Sequence, residues 1–160
     1  MDLIDQNWMA QATIIAKVAI GMLLGGLIGL EREYARKPAG FRTHMLVAGA
    51  AALLVGLAGV LVTKFHVEQG SPQYLRTDPI RIVEAIVGGV SFLGAGTIFR
   101  SGKYQGMEGL TTAASILLAA AIGIAVALEQ LLTAAGVTVL GLLVLRFVRI
   151  VEPDPKVPDD

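Results

Sequence analysis

The stretch that decides the fold is "GLIGLEREYARKPAGFRTHMLV", residues 26–47. A glycine-spaced apolar run ends in Glu31, Arg32 and Glu33, and a second apolar run starts after Arg42. Two apolar helices joined by a short charged turn is the pattern of a membrane hairpin. The rest of the composition agrees. Hydrophobic residues make up 54% of the chain and charged residues 16%, against about 25% charged in soluble domains. Mean hydropathy is +0.68.

Working outward, crossing about 30 Å of hydrocarbon takes roughly 20 helical residues. Five stretches qualify as spans, at about 9–30, 45–62, 82–99, 110–128 and 131–148. The fold expected is therefore an all-α integral membrane bundle of five helices, one domain over 1–151. A proline-rich acidic tail, 152–160, is expected to be disordered. Lys17 is the one charge inside the first span, and Arg146 near the end of the fifth can snorkel to the interface. Between spans four and five stand Glu129 and Gln130, which require a tight antiparallel hairpin.

Lysine and arginine bias sets the orientation. Loop 31–44, loop 100–109 and the C-terminus carry nine basic residues, against three (Lys64, Arg76, Arg81) on the opposite side. The opening stretch is thus expected in the cytoplasm, with the N-terminus outside and the C-terminus inside. Trp8 suits an outer interfacial belt. The N-terminus carries Asp2 and Asp5 rather than the positive region of a signal peptide, so the first span is read as retained.

Sliding the chain along itself by 69 residues superposes Leu24-Gly25 on Leu93-Gly94, Gly40 on Gly109, and Thr43 on Thr112. Helices one and two would then recur as helices three and four in the same orientation, a parallel repeat. Composition makes some of these matches inexpensive, and the coincidence of helix ends and loop lengths is what supports them.

Gly21, Gly25 and Gly29 recur on one face of the first helix. Gly88, Gly89, Gly94 and Gly96 crowd the third. Glycine lets another helix approach closely, so helix packing is the ordinary reading. The sharper alternative is a third helix locally broken so that free carbonyls face a cavity.

Charges at the first helix end are a mixed set. A helix C-terminus favours cations, which suits Arg32 but leaves Glu31 and Glu33 in need of partners. Pro38-Ala39-Gly40 turns the chain back, making Glu31 and Arg42 the expected ion pair. An interfacial cluster that fixes topology is the plainer alternative.

On the other side, Asp78-Pro79 reads as an N-cap followed by a first-turn proline. Arg81 and Glu84 follow at helical spacing and can pair. Glu84 lies one turn into an apolar run, and an intramembrane acid is a functional candidate by default. His44 and His66 stand at opposite ends of the second span, too far apart to share a metal within one copy. Thr43, Thr111 and Thr112 sit where N-caps belong, while Ser91 and Thr97 could bond across to another helix.

The exclusions are broad. Zero net charge offers no basic surface for nucleic acid, and no cysteine is present. No nucleophile–base set, metal-ligand spacing or phosphate loop appears, so neither an enzyme nor a cofactor is expected.

Five motifs, "GGLIGLERE", "PAGFRTHMLV", "DPIRI", "SFLGAGTIFR" and "GLTTAAS", resemble in order and spacing those of the MgtC/SapB family of membrane proteins. The resemblance covers roughly residues 16–128. It implies a multi-pass protein of the bacterial inner membrane, linked to magnesium limitation, acid stress and survival inside host cells. It further implies a regulator that restrains the ATP synthase through its membrane subunit, rather than a proven magnesium transporter. Carried over by motif, the charged positions are Glu31, Arg32, Arg42, Asp78 and Arg81, and the glycine positions Gly89, Gly94 and Gly96. Glu84 departs from the family's usual small residue, and Ile116 from its aromatic. The sequence resembles the short SapB branch, so a role requiring the family's C-terminal cytoplasmic domain is not expected here.

The leading expectation is a non-catalytic regulator that contacts a membrane partner through the small-residue faces of helices one and three. The rival is a transporter or channel for magnesium, protons or a small solute, resting on Glu84. A homo-oligomeric structural protein is the third.

Overall fold

The computed structural model describes residues 2–68, 79–100 and 107–151. Asp78 and the tail 152–160 lie outside them. Five helices follow in order: α1 Asp2–Tyr34, α2 Phe41–Glu68, α3 Pro79–Ala95, α4 Leu110–Ala127 and α5 Leu131–Val151. Among the described residues three stretches are long and apolar enough to cross a membrane: Trp8–Tyr34, Phe41–Val62 and Leu110–Ala127. The apolar part of α5, Leu131–Phe147, is shorter, as is the 17-residue α3.

Helix ends account for most differences from the expected spans. α1 runs past Leu30 through the good helix formers of the charged cluster. It stops where Arg36 takes a left-handed φ of 53°. There the Lys37 N–H reaches the Arg32 carbonyl and the Arg36 N–H the Glu33 carbonyl, closing the helix as a Schellman motif before Pro38. The same device ends α4. Glu129 has φ 63°, and the Gln130 N–H donates to the Ala125 carbonyl, giving the tight hairpin that residues 129–130 demanded.

α3 ends at Ala95 rather than Phe99. The Thr97 and Ile98 N–H groups donate back to Gly94 and Ala95, and the Thr97 hydroxyl also takes the Gly94 carbonyl, 2.8 Å away. These turn bonds satisfy the Gly94 and Ala95 carbonyls, and α3 is unbroken over Pro79–Ala95. Two two-residue strands follow, β1 Phe99–Arg100 and β2 Met107–Glu108. They pair antiparallel with Phe99 opposite Glu108, a small ribbon that the all-α expectation lacked. Gly109 closes it with φ 93°. A side chain there would strike the Thr97 carbonyl, so glycine is required both by conformation and by space. Gly109 also stands at the N-cap of α4 without a side-chain hydrogen bond, in place of the threonine caps expected.

α4 is the central helix, packed on α1, α2, α3 and α5. Its buried side is Thr112, Ser115, Ile116, Ala119, Ala120, Ile122, Gly123 and Val126. Small residues set the helix spacing. A methyl added at Gly25 would fall 2.5 Å from the Ala48 Cβ and 2.8 Å from the His44 carbonyl. One at Gly29 would fall 2.8 Å from the Gly40 carbonyl, and one at Gly123 would hit the Ala48 backbone. Gly21, Ala48 and Gly123 therefore mark a crossing of α1, α2 and α4 at near-backbone contact, where dispersion replaces the hydrophobic effect as the holding force.

The 69-residue repeat has structural counterparts. Gly40 and Gly109 each precede a helix, and their carbonyls accept the N–H of His44 and Ala113 respectively. Gly25 packs on His44, and Gly94 packs on Ala113, contacts separated by the same offset. The copies diverge where α1 continues to Tyr34 while α3 stops at Ala95.

Candidate functional site

The charged end of α1 meets the starts of α2 and α4 in one polar node. Arg32 is 3% exposed, and its guanidinium lies 2.6 Å from the Glu31 carboxylate. The expected Glu31–Arg42 pair is not formed, and Arg42 is exposed. Helical phase is the reason. Arg32 falls three residues after Gly29 and four after Ile28, on the packed face of α1. Glu33 is the residue that reaches α2 across the Pro-Ala-Gly turn. Its carboxylate accepts the Phe41 N–H at 2.9 Å, capping α2 from outside the helix.

His44, fully buried, is the centre of the node, and sequence reasoning missed it. Its Nδ1 lies 2.8 Å from the Gly40 carbonyl, so Nδ1 carries a proton and donates. Its Nε2 lies 2.9 Å from the Ser115 hydroxyl on α4, itself 2.8 Å from the Thr112 carbonyl. A neutral ring leaves one serine proton to serve both Nε2 and Thr112. A second ring proton would satisfy all three links at once. A usable signal was present in the spacing. His44, Ala48, Ala51 and Val55 share one face of α2, and all but His44 are small or aliphatic.

A second polar tie closes the far end of the core. Lys17 donates to the Ala127 carbonyl at 3.2 Å and to the Glu129 carboxylate at 2.9 Å. The lone charge of the first span thus serves the C-terminus of α4, where cations are favoured. The ammonium holds the Glu129 carboxyl below its ordinary range.

The remaining candidates stand apart. Arg81 and Glu84 are exposed on α3, and among the described residues no ion pair joins them. Arg81 faces a groove between α2 and α3, which Glu84 does not line. Roughly 25 Å of α2 separates their end from His44 at 1.5 Å per residue. Of the glycines expected to pack on α3, Gly94 meets Ala113, whereas nothing lies within 4 Å of a side chain added at Gly88 or Gly89. Gly96 falls beyond the helix. Thr97 bonds its own helix end rather than a neighbour. Among the described residues no three His, Cys, Asp or Glu side chains are placed to hold a metal ion.

The MgtC family model matches residues 18–153, a span holding the node, both glycine crossings and α3. The chain belongs to the MgtC family. It is 37% identical to an uncharacterised protein of Haemophilus influenzae over 87% of this chain and 57% of that one. It is 36% identical to protein SapB of Bacillus subtilis over 74% of this chain and 49% of SapB, so SapB is itself about twice the matched span and the expectation of a short SapB branch is not met. It is 38% identical to protein MgtC of Salmonella typhimurium over 79% of this chain and 48% of MgtC. The chain therefore spans about half the length of the curated relatives it matches. No solved structure matches it. Within this MgtC-family chain, Glu31 and Arg32 of "GLERE" come together at the node, while Arg42 of "FRT" and Arg81 of "DPIRI" do not join them.

Proposed function

We propose that this MgtC-family chain is a non-catalytic, five-span regulator of the bacterial inner membrane, its N-terminus outside and its C-terminus cytoplasmic. It serves magnesium homeostasis and acid or low-magnesium stress by restraining a membrane partner. The partner candidate is the membrane subunit of the ATP synthase.

The observation that carries this reading is the open face of α3. Gly21, Gly25 and Gly29 of α1 are occupied by α2 within the same chain, so α1 is no longer a candidate docking face. On α3, Gly88 has nothing within 4 Å, and it shares its face with exposed Glu84, Ser91 and Phe92. A small residue beside a carboxylate, a hydroxyl and an 81% exposed phenyl ring gives a partner helix close approach and polar anchors. The test is proton-driven ATP synthesis in membrane vesicles with and without the protein. Wild-type protein lowers the rate, and Gly88→Leu, whose Cβ has open space around it, restores it. Equal inhibition by both proteins would overturn the docking face. Magnesium or proton flux through purified protein in liposomes, lost in Glu84→Gln, would favour the transport reading instead.

A further inference from the structure

The side of α3 turned toward α2 forms a groove of about 760 Å³. Its walls are aliphatic from Leu46 to Leu61 on α2 and from Ile82 to Leu93 on α3, and among the described residues Arg81 is the one charged side chain that lines it. Arg81 stands at one end, because α3 begins where α2 finishes. Fifteen helical steps separate Leu46 from Leu61, about 22 Å at 1.5 Å per residue. That exceeds the depth of one leaflet, half of about 30 Å. Small residues, Ala50, Ala58, Ala85 and Gly89, form much of its lining, and among the described residues no atom lies within 4 Å of a Cβ built on Gly89.

We propose that this groove binds one phospholipid, with an acyl chain along the Ala58–Gly89 floor and the headgroup phosphate on Arg81. Charge complementarity selects this occupant. A guanidinium recognises a phosphate through paired N–H donors, and an apolar slot running from Arg81 into the bilayer matches a chain attached to that phosphate. A second protein helix would leave the Arg81 guanidinium without an anion unless it carried a carboxylate at that level. Glu84, Gly88, Ser91 and Phe92 do not line the groove.

The test is native mass spectrometry of the purified full chain after exchange into phosphatidylglycerol nanodiscs and mild detergent extraction. The wild-type protein retains one phospholipid per chain. Gly89→Leu, whose Cβ meets no atom of the described chain within 4 Å, projects its side chain into the slot and abolishes retention. Arg81→Gln weakens it roughly tenfold, the size of one charge-assisted hydrogen bond. Retention unchanged in Gly89→Leu would overturn the proposal. So would a lipid-free dimer that Gly89→Leu dissociates, since a second copy would then be the occupant. Retention lost in Gly89→Leu but unaffected by Arg81→Gln would overturn the phosphate contact.

Discussion

Arg32 and Arg42 lie ten residues apart at the same end of the molecule, yet their environments differ completely. Removing Arg32 strands the Glu31 carboxylate in a packed helix end, whereas Arg42 is exposed. Breaking one side of a buried pair costs about 3–5 kcal/mol, while an exposed change stays within about 0.5 kcal/mol. Arg32→Gln is therefore expected to lower the melting temperature in detergent by many degrees and Arg42→Gln to leave it nearly unchanged. Equal effects would mean that Arg32 is not buried. Ser115→Ala poses a finer question. It leaves Nε2 of buried His44 without its α4 partner, at about 1–3 kcal/mol. An unaltered melting temperature would remove His44 from the list of residues joining α2 to α4.

Helices divide by what their glycines meet. Gly123 abuts the Ala48 backbone, which cannot rotate away, whereas Gly136 on α5 faces open space. Gly123→Ala should destabilise by at least the usual overpacking cost of about 1–3 kcal/mol. Gly136→Ala should stabilise by up to about 1 kcal/mol through helix propensity. Thermal unfolding of the pair checks both signs. The Lys17–Glu129 tie adds a pH dependence. A depressed carboxyl pKa means stability that is present at neutral pH and lost as pH falls through the folded value, below the ordinary glutamate range. The wild-type advantage over Glu129→Gln should be constant near neutrality and fade below about pH 4, small throughout because Glu129 is exposed. An advantage growing in acid would reverse the assignment.

Much at this scale was legible in the sequence. The α1 glycine ridge, the hairpin at Glu129 and the matching helix starts after Gly40 and Gly109 all follow from spacing. What escaped was the inward residue of "ERE". Ending the helix with its apolar run hid the phase that carries Arg32 onto the Gly25–Ile28–Gly29 face. His44 escaped because a lone histidine in an apolar run has no partner in sequence; Ser115 lies 71 residues away. Arg81 and Glu84 looked paired by spacing, and the packing of α3 against α2 separates them.

At the scale of the whole molecule, α1, α2 and α4 form a closed core. Glycine crossings draw them together, the Arg32–His44 node holds one end and the Lys17–Glu129 tie the other. α3 leans on that core through α4 and Gly94, and leaves its remaining glycines free. The proposed docking face on α3 lies outside that core. The most direct measurement is photo-crosslinking in living cells, with the photoreactive residue placed at Phe92 on α3 or at Leu132 on α5. Both side chains are highly exposed, 81% and 91%, so exposure alone does not separate them. The account predicts a discrete adduct with a membrane protein at Phe92, lost in a Gly88→Leu background, and none at Leu132. No adduct at Phe92, or the same adduct from both positions, would contradict it.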